Sequence, residues 1–158
     1  AQSDAIEFSK ASSAGPLVKI EGEEYIEVAA SKELQLLGAA QPSRCKGVAS
    51  TDLLFSWHIQ PSVPGFGKGW GSYRRSLLVP ANALQPGIEY TLTFEASQDS
   101  VSSVTRVRVK SLASAPVAKL SGGDRMVSLA NTSMIVLDAS ASYSPDGLVP
   151  LRYTWRCG

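Results

Sequence analysis

The sequence predicts an all-β chain made of tandem β-sandwiches, one complete and two partial. Three observations point there. Apolar and polar residues alternate in short segments rich in β-branched and aromatic side chains. Turn residues separate those segments, and no stretch keeps a helical period over three turns. The chain also repeats itself at an offset near 100 residues, from Pro16 to Pro116.

The alternation predicts strands over 17–20, 25–29, 33–39, 53–60, 76–80, 88–96 and 103–111. In 53–60, Phe55, Trp57 and Ile59 share one face, while Ser56, His58 and Gln60 share the other. Segment 88–96 is the clearest: Ile88, Tyr90, Leu92, Phe94 and Ala96 face one way, and Glu89, Thr91, Thr93 and Glu95 the other. In 103–111, Val107 and Val109 alternate with Arg106, Arg108 and Lys110. Turn chemistry falls between strands at Pro61–Gly71 and at Gln85-Pro86-Gly87. Seven short strands in about 100 residues is the immunoglobulin-like pattern. Trp57 then stands where the core Trp of the third strand belongs, and Tyr90 where a tyrosine corner opens the sixth. Neither 33–39 nor 88–96 carries a Cys, so the inter-sheet disulfide of antibody domains is not expected.

The repeat sets the domain organisation. Pro16-Leu17-Val18-Lys19-Ile20-Glu21-Gly22 matches Pro116-Val117-Ala118-Lys119-Leu120-Ser121-Gly122. Leu34 to Ala40 matches Ile135 to Ala141, and Leu54-Phe55-Ser56-Trp57-His58 matches Arg152-Tyr153-Thr154-Trp155-Arg156. Residues 1–15 are thus expected to be the last strand of a preceding unit, since Ile6 to Lys10 resembles Val107 to Lys110. Residues 16–112 make the complete sandwich. Residues 113–158 make the first half of a following one, with strands over 126–129 and 133–139 and with Trp155 in its core. A chain that stops just after such a Trp-bearing strand is expected to be a piece of a longer protein.

Composition excludes several classes. Hydrophobic residues make up 44% of 158, enough to bury a core. A formal net charge of +1, from 15 Lys+Arg against 14 Asp+Glu, predicts no nucleic-acid partner. No apolar run is long enough to span a bilayer, and the N-terminus lacks the pattern of a signal peptide. Two cysteines and one histidine are too few for a disulfide scaffold or a structural zinc site. No cofactor is expected. His58 is the only imidazole, with no carboxylate or nucleophile near it in sequence to orient it, and no H-E-x-x-H, C-x-x-C, P-loop or G-x-S-x-G motif is present. Catalysis is not expected.

The run Val136-Leu137-Asp138-Ala139-Ser140-Ala141-Ser142-Tyr143-Ser144-Pro145-Asp146-Gly147, followed by Leu151-Arg152-Tyr153-Thr154-Trp155, resembles the opening half of a polycystic-kidney-disease (PKD) repeat. Trp155-Arg156-Cys157 is similar to the receptor-for-egg-jelly region of polycystin-like receptors. Unit 16–112 diverges, with Leu36-Leu37-Gly38-Ala39-Ala40 in place of the Asp-Ala-Ser-Ala run and no Gly-Asp-Gly after its Trp. The resemblance implies a large cell-surface or extracellular protein, of cilia, flagella or gametes. Tandem sandwiches there serve as spacers and contact modules in adhesion or mechanosensing.

Four features invite a site. The loop Pro64 to Arg75 interleaves glycines with Phe66, Trp70 and Tyr73 and with Lys68, Arg74 and Arg75, residue types that anchor partners or stack on sugars. The alternative is an aromatic plug at one end of the sandwich, with glycines allowing the turns. A neighbouring repeat is the expected partner, with other surface proteins or glycans next. Asn131-Thr132-Ser133 is a glycosylation sequon. Asp138 and Asp146 could lend carboxylates to calcium, but calcium needs six to eight oxygens and turn chemistry explains both residues. Cys45 and Cys157 hold different positions in their units, so each is expected to be free or to pair outside the segment. The rival function is a carbohydrate-binding accessory module of a secreted enzyme, acting through the aromatic loop.

Overall fold

The computed structural model describes residues 15–43, 52–68, 70, 74–123, 126, 130, 134–147 and 150–156. Seven strands lie among them: β1 (Leu17–Ile20), β2 (Tyr25–Ala29), β3 (Leu34–Gln41), β4 (Leu54–Gln60), β5 (Ser76–Val79), β6 (Glu89–Gln98) and β7 (Val101–Leu112). They form two sheets, of order β1-β3-β5 and β2-β7-β6-β4. The β2–β7 pair is parallel and every other pair antiparallel. The described residues contain no helix, and none of them forms a helix long and apolar enough to cross a membrane.

The buried face of each strand follows from its alternation. From the three-stranded sheet come Leu36, Leu77 and Val79; from the four-stranded sheet come Trp57, Ile59, Tyr90, Leu92, Phe94, Val107 and Val109. All ten join one core, so the apolar face of each sheet is covered by the other. Phe94 is its centre, fully buried. Its ring lies 4.9 Å from Trp57 and stacks on Phe55 at 5.8 Å. Across the core it meets bare backbone: a Cβ added to Gly38 would overlap the Phe94 ring atoms. Burying one such aromatic contributes roughly 1.5–3 kcal/mol. Glycine at 38 lets the opposite sheet approach that closely.

Strand ends depart from the alternation where side chains stop reporting burial. The β6–β7 ladder runs to Gln98↔Val101, beyond the predicted ends at 96 and 103. Ser97, Gln98 and Ser102 are polar, so their sequence marks no face, yet their backbones continue the ladder. Asp99 closes the tight turn with φ of 52°, a left-handed conformation that Asp tolerates.

Residues 113–156 follow a different course. Their described part holds one isolated bridge, Val117↔Tyr143, and no strand. The strand predicted over 133–139 is absent from 134–139, and the Trp155 segment 151–156 is likewise not a strand. The predicted strand 126–129 lies almost wholly outside the described residues, as do residues 1–14. The physical reason for the difference is exposure. Met134, Ile135, Val136, Leu137, Tyr153 and Trp155 all present apolar surface to solvent, with no opposing layer among the described residues. Trp155, expected in a core, is 54% exposed. An apolar face without cover gains nothing from becoming a strand.

Candidate functional site

The loop joining β4 to β5 leaves the edge of one sheet and enters the edge of the other. Val63 is buried in the core, and Phe66 and Trp70 pack half-buried against it. The two rings meet edge to face at 5.1 Å. The backbone folds tightly to allow this: the Gly67 N–H donates to the Trp70 carbonyl at 2.6 Å, and Trp70 and Lys68 donate to the Gly65 carbonyl, each at 3.3 Å. Gly65 and Gly67 adopt φ near 80°, which glycine takes without strain. The loop is then fastened to the core when Trp57 Nε1 donates to the Arg74 carbonyl at 3.1 Å. Arg75 sets its guanidinium 5.8 Å above the Phe55 ring.

Phe66 and Trp70 therefore pack partly buried against the core, the plug arrangement, with part of each ring left at the surface. Lys68, Arg74 and Arg75 are exposed on the outside of the same loop. Tyr73 lies outside the described residues, as do Cys45, Asn131 and Cys157.

On the outer face of the four-stranded sheet the structure assembles a group that sequence spacing hides. Ser56 and His58 on β4 face Glu95 on β6, because Ser56 pairs with Glu95 and His58 with Thr93 in the ladder. Ser56 Oγ donates to Glu95 Oε2 at 3.3 Å. His58 Nε2 lies 3.3 Å from both that oxygen and Ser56 Oγ. The Ser102 hydroxyl, then His58 and Ser56, hold the Glu95 carboxyl below the usual carboxylate range through hydrogen bonds. The expectation that no carboxylate orients His58 is thus corrected: Glu95, 37 positions away in sequence, meets it across the ladder. The cluster does not make a relay. Hydroxyl and carboxylate share the single nitrogen Nε2, whereas a triad uses both ring nitrogens in series.

The two aspartates serve their own turns. Asp138 accepts the Ser140 N–H at 2.8 Å and the Ser121 hydroxyl at 3.4 Å, and the Ser140 backbone bond chiefly lowers its carboxyl pKa. Asp146 Oδ2 accepts the Ser114 N–H at 2.6 Å. Among the described residues no three His, Cys, Asp or Glu side chains gather as a metal group would require.

No family model matches the chain, and no curated protein matches it. A solved structure of the three N-terminal domains of the bacteriophage RB49 highly immunogenic outer capsid protein (Hoc) is similar at 11% identity and a TM-score of 0.41. The match covers 67% of this chain and 32% of that one, so it spans about a third of that structure's length.

A recess lies in the second region, where Ala118, Leu120, Ala139, Tyr153 and Trp155, together with polar residues such as Lys119 and Arg152, line a hollow of about 340 Å³ that is open to solvent. The repeat sets Trp155 level with Trp57 in sequence, but gives no sign that its surroundings differ.

Proposed function

We propose that this chain is a non-catalytic segment of tandem immunoglobulin-like sandwiches from an extracellular or cell-surface protein, acting as a spacer and as a contact module between repeats. Three features support the immunoglobulin-like part. The chain crosses repeatedly between the two sheets, Trp57 is buried on β4, and Tyr90 accepts a hydrogen bond from the Gln85 N–H at 3.0 Å, as a tyrosine corner does. The tandem part rests chiefly on one observation. Trp57 and Trp155 are repeat equivalents, yet the first is 4% exposed and the second 54%. A core Trp left half bare beside an open recess is the mark of a sandwich lacking its second layer. The PKD and receptor-for-egg-jelly assignment rests on residues 133–157 alone.

A carbohydrate-binding accessory module is the second reading, and the partial burial of Phe66 and Trp70 against the core leaves it less ring surface for stacking. Surface partners would instead meet Lys68, Arg74 and Arg75, where cations rather than rings are presented.

Peptide mapping of the protein from its native source tests the proposal. Sequence continuing past Gly158 into further Trp-bearing repeats is the expected result. A mature chain ending at Gly158 would refute the tandem array.

A further inference from the structure

Two residues beyond β7, Ser114 reaches both regions of the molecule. Its Oγ donates to Ser31 Oγ at 2.7 Å, and the Ser31 N–H donates back to that Oγ at 3.4 Å. Its own N–H donates to Asp146 Oδ2 at 2.6 Å. Ser31 belongs to the turn between β2 and β3. That turn is itself pinned, with the Ala30 N–H donating to the Leu112 carbonyl at 2.8 Å and the Asn82 N–H to the Ala30 carbonyl at 2.7 Å. Asp146 belongs to a turn closed by the Gly147 N–H on the Ser144 carbonyl at 3.1 Å. The Val117–Tyr143 bridge, with hydrogen bonds of 2.9 and 3.1 Å, ties the segment around Val117 to the one that leads into that turn.

The surroundings make this short chain of bonds important. Between the regions lies a cleft of about 830 Å³, lined by Gln85, Pro86, Pro116, Leu151 and Arg152 among others. A hydrogen bond to a carboxylate is roughly twice as strong as one between neutral groups. Moreover, Asp146 Oδ1 is buried without a hydrogen-bond partner, a desolvation cost that the short Oδ2 bond must offset.

We propose that Ser31, Ser114 and Asp146 form a joint lock, which holds the described segments 113–123 and 134–147 against the pole of the two-sheet unit so that they move with it as one body. The lock stands on these contacts and does not depend on the tandem-array proposal. In a row of repeats it would set the angle between neighbours; in a lone chain it would still order the second region.

Nitrogen-15 NMR relaxation on the full chain tests it. The unaltered protein is expected to show backbone order parameters near about 0.85 at Val117 and Tyr143, like those of β6, and Asp146→Ala is expected to bring them below about 0.6. Unchanged β6 and β7 amide shifts would show that the two-sheet unit remains folded. Ser114→Ala provides the second variant, since it cuts the bond to Ser31 yet keeps the N–H that Asp146 accepts. It is expected to loosen the same residues while the Val117–Tyr143 bridge shifts persist. Low order parameters at Val117 and Tyr143 in the unaltered chain, or rigid values in both variants, would overturn the lock.

Discussion

Residues 17–112 and 113–156 were written from the same pattern and came to different ends. Leu36 and Leu137 occupy one repeat position, yet Leu36 is 2% exposed and Leu137 50%. Gly38 and Ala139 occupy another. In the first region, glycine there makes room for Phe94 of the facing sheet. In the second, Ala139 lines an open recess instead. The difference teaches that alternation specifies an apolar face but not its cover. A face becomes a buried strand only where a second layer of matching residues can lie on it.

The sharpest way to break this comparison is to delete the central ring of each region. Phe94→Ala should destabilise the chain by about 3–5 kcal/mol, because the ring is fully buried against both sheets. Trp155→Ala should shift the denaturant midpoint by less than about 1 kcal/mol equivalent, as expected for a half-exposed side chain. Equal losses for the two would place Trp155 in a cooperative core and void the contrast.

A smaller change transplants one repeat's residue into the other. Gly38→Ala installs the alanine found at the equivalent position 139, and its methyl would collide with Phe94. The cost should be about 1–3 kcal/mol. Combining it with Phe94→Leu should recover part of that loss in a thermal melt. A Gly38→Ala protein as stable as its parent would mean that the sheets can separate freely, contrary to the tight approach described above.

The smallest effect is one of pH. Hydrogen bonds from Ser102, His58 and Ser56 keep the folded Glu95 pKa below its unfolded value. Its contribution is therefore present above the ordinary Glu pKa of roughly 4.3 and is lost as pH falls through the lower folded value. Glu95→Gln should lower stability slightly at neutral pH, where the carboxylate contributes, and flatten the acid limb so that the two stability curves converge below the folded pKa. Asp138 is also depressed, by Ser140 and Ser121, but sits exposed in the second region. Asp138→Asn should leave the acid limb of global unfolding unmoved, so an equal response from both variants would show the two regions unfolding together.

Much of the two-sheet region was legible in the residues. The apolar stripe Ile88, Tyr90, Leu92, Phe94 and Ala96 named its buried face, and all but Ile88, which precedes β6 and is exposed, are buried. The aromatic loop was legible only as a composition. Phe66 and Trp70 between glycines suit an outward platform and an inward plug equally well, and the free side seam between β4 and β5 decides for the plug. The Ser56–His58–Glu95 group was hidden because its members meet through strand pairing, which alternation does not specify.

By itself, then, the sequence determined the strands among the described residues of 17–112 to within a few residues at their ends, most of their inward faces and the repeat that relates the two regions. These follow from local chemistry, since side-chain periodicity and turn residues act over a few positions. Only the tertiary structure decided which aromatics were buried, which polar groups met on the outer face and which half of the repeat became a sheet. Those outcomes depend on a second layer of chain arriving from far away in sequence, and no local pattern records whether it does.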